Sequence, residues 1–458
     1  MEDLAVVAFG CLLHDIGKLV QRADETPLKQ GHSRFGADLL QSAGLLKENK
    51  HWYHVFECIR YHHFKFIKEG AHTLAGARIT CEADALCSTA ADHKLCDSQG
   101  QRHEEIDFGT EVQWNRNRRL DSIFTLLQNA DSRSPLKASL PMATFEGRKV
   151  ALTSCPYPEA SPVEERAAEC YFHVRDLAVS RLMAYLQGRD PSSLNLINDV
   201  SLFLENHLRS LPADSPSEGD CHVSMFDQMS LSAALGSCIY AWLHEYEPEA
   251  LTSANKELPD LQKLRTAPVY LILSADIQGS RRFILDGSKF FRAKPSELKT
   301  ENDNRAGNRG VYIEVLRQWL AEQMLRALGL TRNSLLLASG SRFTLMLPNT
   351  ALALATVARM QTRFNQWLVE HFGGKLYLSL EFSECSGADL LTSAANKPNW
   401  GKAMEAAQAK RPLPANEPFR GTLAMLFDSP QVQEQCPLCQ DQTMPLVSVS
   451  SESKICAP

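Results

Sequence analysis

The chain has 458 residues, of which 44% are hydrophobic and 22% charged, and its formal net charge is -6. This composition is typical of a globular protein with about two to four domains, and the charge argues against a wholly basic nucleic-acid coat protein. No apolar run is long enough to cross a bilayer, and the acidic start Met1-Glu2-Asp3 is unlike a signal peptide. The sequence therefore predicts a cytoplasmic protein with no membrane partner, whose thirteen cysteines are reduced thiols or metal ligands.

The first part of the chain is predicted to be helical, because its apolar residues recur at helical spacing. Five prolines between Pro135 and Pro162 predict an irregular connection, with a strand at 150–152. We expect an all-helical domain over residues 1–130 and a connector with a helical region over 131–265. The predicted helices cover Leu4 to Leu19, Trp52 to Ile67, about Thr73 to Ala91, about Val163 to Leu211 and Ser224 to Tyr246.

After Pro268 the pattern changes to short apolar strands that alternate with helices. Their order, β–α–β–β–α–β, is the ferredoxin-like pattern, which we expect over residues 266–385 of an α+β protein. The predicted elements are a strand at Val269–Ser274, a helix at Arg309–Leu328, strands at Ser334–Ala338 and Arg342–Leu347, a helix at Leu352–His371 and a strand at Lys375–Phe382.

Histidines are concentrated near the start of the chain, where nine of the fourteen lie within residues 1–103. If the segment around His14 and Asp15 is helical, these two side chains diverge by about 100°, yet both can reach metal ions in a cleft beside the helix. Lys18 shares their face and could bind a phosphate oxygen. We predict these three residues as catalytic. Gly17 would let a neighbouring backbone or a substrate approach closely.

Further candidate metal ligands follow at suitable places. His32 lies near a helix start, His62 and His63 on the second predicted helix and Asp84 on the third. Together with the first pair they form an imidazole and carboxylate set that suits Mn, Ni or Co, and also Fe or Zn. Such a set can activate water at neutral pH and stabilise an in-line displacement at phosphorus, which predicts a metal-dependent phosphodiesterase. The alternative is that these are ordinary surface or core histidines, as we expect for histidines 51, 54, 72, 93 and 103.

Motifs along nearly the whole chain narrow the choice. The chain resembles the large, polymerase-like subunit of the type III-A CRISPR effector complexes, the Csm complexes. The segments that carry this resemblance are His14-Asp15-Ile16-Gly17-Lys18, His62-His63, Ala83-Asp84, Leu120–Phe124, Val223–Gln228 with Ala233-Ala234, Ala275–Gly279 with Phe283-Ile284, Ser339–Asn349, Gly373–Leu378 and Cys436–Cys439.

The resemblance implies an HD nuclease domain, a first palm domain and, over residues 386–458, the incomplete start of a zinc-bearing helical domain. It implies that the HD domain cuts single-stranded DNA, and that the full family subunit also makes cyclic oligoadenylates from ATP with two palms. It further implies partners, namely other Csm subunits, CRISPR RNA and target RNA. The basic stretch from Arg281 to Arg309, with eight Lys or Arg and four Asp or Glu, could face nucleic acid or be an ordinary solvated surface.

The sequence departs from the family pattern at several places. Where the family has a glycine-rich turn that cradles ATP, this chain has Ser339, Gly340 and Ser341 followed by an arginine. We expect these residues and Asp276 to give at most a weak or incomplete nucleotide site, because close approach to phosphate is easiest for glycine. The family's Asp-His pair after the helical region is replaced by Asp227-Gln228.

A further departure lies toward the end of the chain. The family's Gly-Gly-Asp-Asp turn of the second palm is not in the sequence, so we interpret the chain as a truncated or split subunit. Cys436, Cys439 and Cys456 are expected to contribute to a zinc site that needs four ligands, and the alternative is that the first two are ordinary buried thiols. Two other functions stay open, a free-standing HD phosphohydrolase acting on nucleotides and a scaffold with a vestigial metal site.

Overall fold

A computed structural model describes residues 2–23, 31–63, 66–67, 75–87, 120–121, 171–172, 174–214, 221–251, 261–285, 301–390, 446–448 and 454–456. Contacts divide the chain into two compact units. Unit 1 comprises Met1–Tyr270, Gly329–Ser334 and Ser386–Asn399, and unit 2 comprises Leu271–Leu328, Leu335–Cys385 and Trp400–Pro458. None of the helices described is long and apolar enough to cross a membrane.

Unit 1 is helical in the part that the structure describes. Its first five helices are α1 (Glu2–Leu13), α2 (Gly17–Ala23), α3 (His32–Ser42), α4 (Lys50–Tyr61) and α5 (Gly76–Cys87). A π-helical segment at Val174–Val179 leads into α6 (Ser180–Leu186), α7 (Leu194–Leu208), α8 (Met225–Tyr246) and α9 (Leu261–Thr266). Short 3₁₀ turns lie at Leu45–Lys47, Pro248–Leu251 and Arg332–Ser334, and α13 (Gly387–Leu390) belongs to the same unit.

Small residues let the central helices of unit 1 approach closely. A Cβ atom on Gly10 of α1 would lie 2.4 Å from Cys58 Cβ of α4, and one on Gly236 of α8 would lie 2.4 Å from Cys11 Sγ of α1. Gly76 of α5 makes a similar approach to Cys58 Sγ. These positions therefore require glycine. Helix α8, which comes from the predicted connector region, packs directly against α1 and α5, and its N-terminus is capped by the Ser224 hydroxyl.

Unit 2 contains a four-stranded sheet. Its strands are β1 (Tyr270–Gln278), β2 (Leu335–Ser339), β3 (Arg342–Pro348) and β4 (Tyr377–Cys385), in the order β2-β3-β1-β4. The helices are α10 (Ser280–Leu285), α11 (Glu301–Ala327) and α12 (Ala351–Phe372), and a two-stranded sheet pairs β5 (Leu446–Ser448) with β6 (Lys454–Cys456). The sheet order and the alternation with helices confirm the predicted ferredoxin-like domain and the α+β class.

Several predicted helical stretches end early or are interrupted in the structure. The helical region expected from about Val163 to Leu211 is interrupted between α6 and α7, and the helix expected from Trp52 to Ile67 ends at Tyr61. The interruption after α6 coincides with Gly188, at φ +71°, which favours glycine and ends a helix. Helix α11 begins at Glu301, earlier than predicted.

Other sequence predictions fall outside the described residues. These are the strand at 150–152 and the cysteines Cys436 and Cys439. Cys456 ends β6, but its side chain is not among those described. The zinc site therefore stays a prediction, and so do the ranges of the four predicted domains.

Candidate metal centre

The pair His14 and Asp15 lies in a turn between two helices, which corrects the prediction that it sits on a helix. Helix α1 ends at Leu13 and α2 begins at Gly17. The His14 Nδ1 lies 2.7 Å from the carbonyl oxygen of Cys11. Since a carbonyl only accepts, Nδ1 carries the proton and donates it, and the ring thereby caps the end of α1. The turn lets both side chains reach one point, where a straight helix would keep them about 100° apart.

His62 also caps the end of a helix through its ring. It is the C-cap of α4 rather than part of the helix, and its Nδ1 donates to the carbonyl of Ile59 at 2.7 Å. His63 follows it outside the helix, so the prediction that both histidines lie on that helix is wrong. In both capping histidines the proton sits on Nδ1, and the lone pair of Nε2 is directed away from the capped helix end.

His32 reaches the cluster because two helices touch through glycine. It begins α3, as predicted. A Cβ on Gly17 would lie 1.9 Å from the His32 carbonyl oxygen and 2.5 Å from the Gly36 nitrogen. The expected close approach at Gly17 is therefore that of the α3 backbone, and it brings the His32 ring to the Asp15 carboxylate.

The predicted ligands converge in two adjoining groups. In one group His14 Nε2 lies 3.3 Å from Asp15 Oδ2 and 3.2 Å from Asp84 Oδ1. The other group consists of His32, His62 and His63. There the His32 Nε2 lies 3.2 Å from that of His62 and 3.0 Å from that of His63. Asp15 faces both groups, since its Oδ1 lies 3.1 Å from His32 Nε2.

Burial leaves three of these rings neutral. It lowers the pKa of His32 to about 4 and the pKa values of His62 and His63 to about 3. At neutral pH their lone pairs are therefore available to a ligand. Burial also lowers the pKa of His14, but the carboxylates of Asp15 and Asp84 outweigh it and raise that pKa to about 10. His14 Nε2 thus needs a positive partner, either a proton or a metal ion.

The donor set fits divalent cations. Nε2 of His32 lies within hydrogen-bond distance of Asp15, His62 and His63, but it can carry only one proton. Several lone pairs therefore face one another with no hydrogen atom between them. Two metal–nitrogen bonds of about 2.1 Å that meet at roughly a right angle place their nitrogen atoms about 3 Å apart, which is the separation found here. The chemistry of the set, imidazole with carboxylate, suits a transition metal ion.

Lys18 neutralises part of the carboxylate charge. Its Nζ lies 2.8 Å from Asp15 Oδ2 and 3.2 Å from Asp214 Oδ1, and it donates to the carbonyl of Ala213 at 3.2 Å. Burial raises the pKa of Asp15, but the charges of His14 and Lys18 hold it well below its usual range. In this structure Lys18 therefore holds Asp15 in place, and the expected contact with a phosphate oxygen stays a prediction.

The sequence reasoning missed three residues around the centre. Gln228 of α8 donates through Nε2 to Asp84 Oδ1 at 2.9 Å. Asp214 pairs with Lys18, and the buried Arg22 donates to the carbonyls of Pro212 and Ala213. The signal for Gln228 was its place in a motif shared with the resembled family. For Asp214 and Arg22 the sequence offers no signal, because their partners are distant along the chain.

The predicted nucleotide-binding residues lie in unit 2, around the turn between β2 and β3. Asp276 accepts hydrogen bonds from Ser341 Oγ at 2.7 Å, Gln278 Nε2 at 3.0 Å and Arg342 Nε at 3.1 Å. Asp276 and Ser341 line an open cavity of about 710 Å³, together with Arg281, Arg282 and Arg342. Ser339 and Gly340 are exposed at the turn and are not among its lining residues.

Two family models match the chain. The HD domain matches residues 1–89 and the Csm1 subunit domain B matches residues 296–427. Among curated relatives, the single-strand-specific deoxyribonuclease Cas10/Csm1 (subtype III-A) of Enterococcus italicus is 24% identical over 404 residues, which cover 86% of this chain and 48% of the relative. Its counterpart from Thermococcus onnurineus is 26% identical over 463 residues, covering 96% and 50% respectively.

Solved structures share the fold. A Csm1–Csm4 cassette in complex with cA4 aligns with a TM-score of 0.61 at 22% identity, over 93% of this chain and 50% of the other. A cassette in complex with AMPPNP also gives a TM-score of 0.61, at 21% identity, over 94% and 51%. The chain spans about half the length of the relatives it matches. Over most of its length the chain is therefore similar to the Cas10/Csm1 proteins of subtype III-A CRISPR systems, with a match to the HD domain model followed by a match to the Csm1 domain B model.

Proposed function

We propose that the chain is a metal-dependent nuclease that hydrolyses phosphodiester bonds in single-stranded DNA. The observation that carries this proposal is the convergence of four imidazole nitrogens and two carboxylates, at separations of 3.0–3.3 Å, without enough protons to satisfy them. The substrate is proposed from the curated relatives, which are named single-strand-specific deoxyribonucleases.

Two adjoining ion sites are proposed. His14, Asp15 and Asp84 would hold one ion and His32, His62 and His63 the other, with Asp15 facing both. Mn, Ni or Co suits this donor set. A bound divalent ion supplies a Lewis acid and makes water more acidic at neutral pH. The chain's own residues fix the ligands, since helix-end carbonyls orient the rings of His14 and His62 and Lys18 orients the Asp15 carboxylate.

The test is a cleavage assay with the purified chain, Mn²⁺ or Ni²⁺, and single-stranded and duplex DNA. We expect the single strand to be cut and the duplex to stay nearly intact. The double variant His14→Ala and Asp15→Ala should lose activity by orders of magnitude, because both ion sites lose ligands. His51→Ala is the matched control, since His51 is a buried histidine that pairs with Asp190 outside the cluster. A double variant that cuts as fast as the parent would refute the assignment.

Two other results would favour the alternative functions. Turnover of a small nucleotide without DNA cleavage would support a free-standing phosphohydrolase. Purified protein that neither carries nor binds divalent metal ions would support a scaffold.

We further propose that the chain works in the cytoplasm within a ribonucleoprotein containing other Csm subunits, CRISPR RNA and target RNA. Several solved neighbours are complexes of Csm1 with Csm4, and Arg281 and Arg282 are exposed. Reversing these two charges should weaken nucleic-acid binding and reduce its salt dependence. Unchanged affinity across salt concentrations would remove this part of the surface from the proposal.

A weak ATP site beside Asp276 is the second candidate function. It is favoured by the cavity of about 710 Å³ that Arg281, Arg282 and Arg342 line and by the AMPPNP-bound neighbour. We expect binding without turnover, because the carboxylate of Asp276 is engaged by Ser341 and Arg342. Cyclic oligoadenylates detected by mass spectrometry after incubation of this chain alone with ATP, Mg²⁺ and RNA would contradict that expectation.

A further inference from the structure

Helix α8 lies outside the residues that match the HD domain, yet it reaches the metal centre. Gln228, in its first turn, is 3% exposed, and its Nε2 lies 2.9 Å from Asp84 Oδ1. A carboxylate oxygen at neutral pH only accepts hydrogen bonds, so the amide must present its nitrogen to Asp84. This oxygen of Asp84 is also the one that lies 3.2 Å from His14 Nε2.

The oxygen atom of the same side-chain amide lacks a hydrogen-bond donor in the part of the chain that the structure describes. This atom, Gln228 Oε1, is buried. Burying an amide with an unmatched acceptor destabilises a fold, so the interior of a helical unit does not favour glutamine here. The contact that this side chain does make is with a proposed metal ligand.

The backbone of α8 is fixed firmly enough to place such a side chain. Gly236, two turns further along the helix, packs so closely that a Cβ would lie 2.4 Å from Cys11 Sγ in α1. Ser224 caps the N-terminus of α8 by accepting from the amide of Asp227 at 3.0 Å. The side chain of Gln228 therefore projects from a helix segment whose backbone is fixed by the Ser224 cap on one side and by the Gly236 contact on the other.

From these observations we infer that Gln228 is a positioning residue of the metal centre, which orients the Asp84 carboxylate toward the ion through its amide nitrogen. The inference rests on the proposed metal centre and extends it beyond the HD domain. Loss of an outer hydrogen-bond partner of a metal ligand typically weakens metal binding by about 10–100-fold.

The experiment measures the affinity of the full chain for Mn²⁺ by titration calorimetry. Gln228→Met keeps the length of the side chain but removes the donor, and we expect Mn²⁺ to bind about 10–100-fold more weakly. The thermal midpoint measured with EDTA should not fall, because the unmatched Oε1 is removed as well. Ser232→Ala is the control, one turn further along α8 and also buried, and its affinity should stay within about twofold of the parent.

A double-mutant cycle separates positioning from general stabilisation. If Gln228 acts through Asp84, adding Gln228→Met to Asp84→Asn should cause almost no further loss of Mn²⁺ affinity. The inference is overturned if the affinity losses of the two single variants multiply in the double variant. It is also overturned if the affinity of Gln228→Met stays within about twofold of the parent.

The same measurements test the proposed nuclease function separately from the role of Gln228. If the parent binds Mn²⁺ but cuts no DNA, the nuclease assignment is wrong while the cycle still decides the role of Gln228. If the parent binds none of Mn²⁺, Ni²⁺ and Co²⁺, both proposals are wrong.

Discussion

The metal centre of unit 1 and the cavity of unit 2 each contain a partly buried aspartate, and the two carboxylates have opposite surroundings. Asp84 accepts one hydrogen bond from the Gln228 amide and faces Nε2 of His14, whose Nδ1 already caps a helix end, an arrangement that calls for a cation. Asp276 is surrounded by donors, namely a hydroxyl, an amide and a guanidinium group, an arrangement that leaves no need for one. The residue type is the same, and its neighbours decide whether it can hold a metal ion.

A second contrast concerns the ion pairs of the two regions. Arg265 and Glu82 form a two-pronged pair at 2.7 and 3.0 Å, with side chains only 5% and 1% exposed. The Arg342 side chain, which pairs with Asp276, is 75% exposed. Breaking a buried pair leaves a charge without solvent, whereas an exposed pair is replaced by water. The buried pair also fixes α5, two residues from the proposed ligand Asp84.

The largest effect is expected at this buried pair. Arg265→Met should lower the free energy of unfolding by about 3–5 kcal/mol, because the Glu82 carboxylate would remain buried without the opposite charge of Arg265. Urea denaturation followed by circular dichroism measures this. Replacing both residues, Arg265→Met with Glu82→Gln, should recover part of the loss. If the single variant costs under about 1 kcal/mol, the pair is open to solvent and the contrast with Arg342 disappears.

The next prediction makes the same substitution in both regions. Asp84→Asn should weaken Mn²⁺ binding by more than about 100-fold, since removing a ligand exceeds the loss of an outer partner. Asp276→Asn should leave both the Mn²⁺ affinity and the number of bound ions unchanged. Calorimetry and metal analysis of the two variants give the comparison directly. Loss of an ion in Asp276→Asn would show that unit 2 holds a metal site after all.

The fold was largely predictable, because the strands and helices of unit 2 are clear apolar runs separated by turn-forming residues. The ends of the helices at His14 and His62 were not. In both, an imidazole donates to a carbonyl three residues earlier, and helical periodicity carries no signal for that bond. The sequence thus predicted which histidines and aspartates to examine, but placed several of them on helices that had already ended.

Contacts between distant segments were beyond prediction from the sequence. Gln228 and Asp84 are separated by 144 residues, and their contact exists because α8 packs against α1 and α5. The partners of Asp276 could be named only in part, since the β2–β3 turn was identified but the direction of its side chains was not. Local patterns predict elements, whereas the balance of donors and acceptors at a site depends on their packing.

The third prediction concerns the glycine contact that assembles the metal centre. Gly17→Ala should cost about 1–3 kcal/mol of stability, because its Cβ cannot be placed 1.9 Å from the His32 carbonyl oxygen without moving α3. The same displacement should weaken Mn²⁺ binding, since it carries His32 away from Asp15. Gly31→Ala is the control, because among the residues that the structure describes its Cβ would meet only Ser33 Oγ, at 3.9 Å. Equal stability and affinity in Gly17→Ala and its control would contradict the proposed assembly.

The smallest effect on stability is expected at Arg342. The substitution Arg342→Ala should change the free energy of unfolding by less than about 1 kcal/mol, since an exposed pair is largely screened by water. Asp276 would keep its contacts with Ser341 and Gln278.

The same variant should nevertheless lower the affinity for ATP, because Arg342 lines the cavity beside Asp276 and a guanidinium group suits a phosphate. Losing one charge-assisted hydrogen bond corresponds to roughly a tenfold weaker affinity. Arg326→Ala provides the control, as an exposed arginine near the end of α11 that does not line the cavity. Fluorescence titration with a labelled ATP analogue measures both variants. If Arg342→Ala binds the analogue as well as Arg326→Ala does, the guanidinium group serves only Asp276 and the proposed nucleotide site loses its anion-binding group.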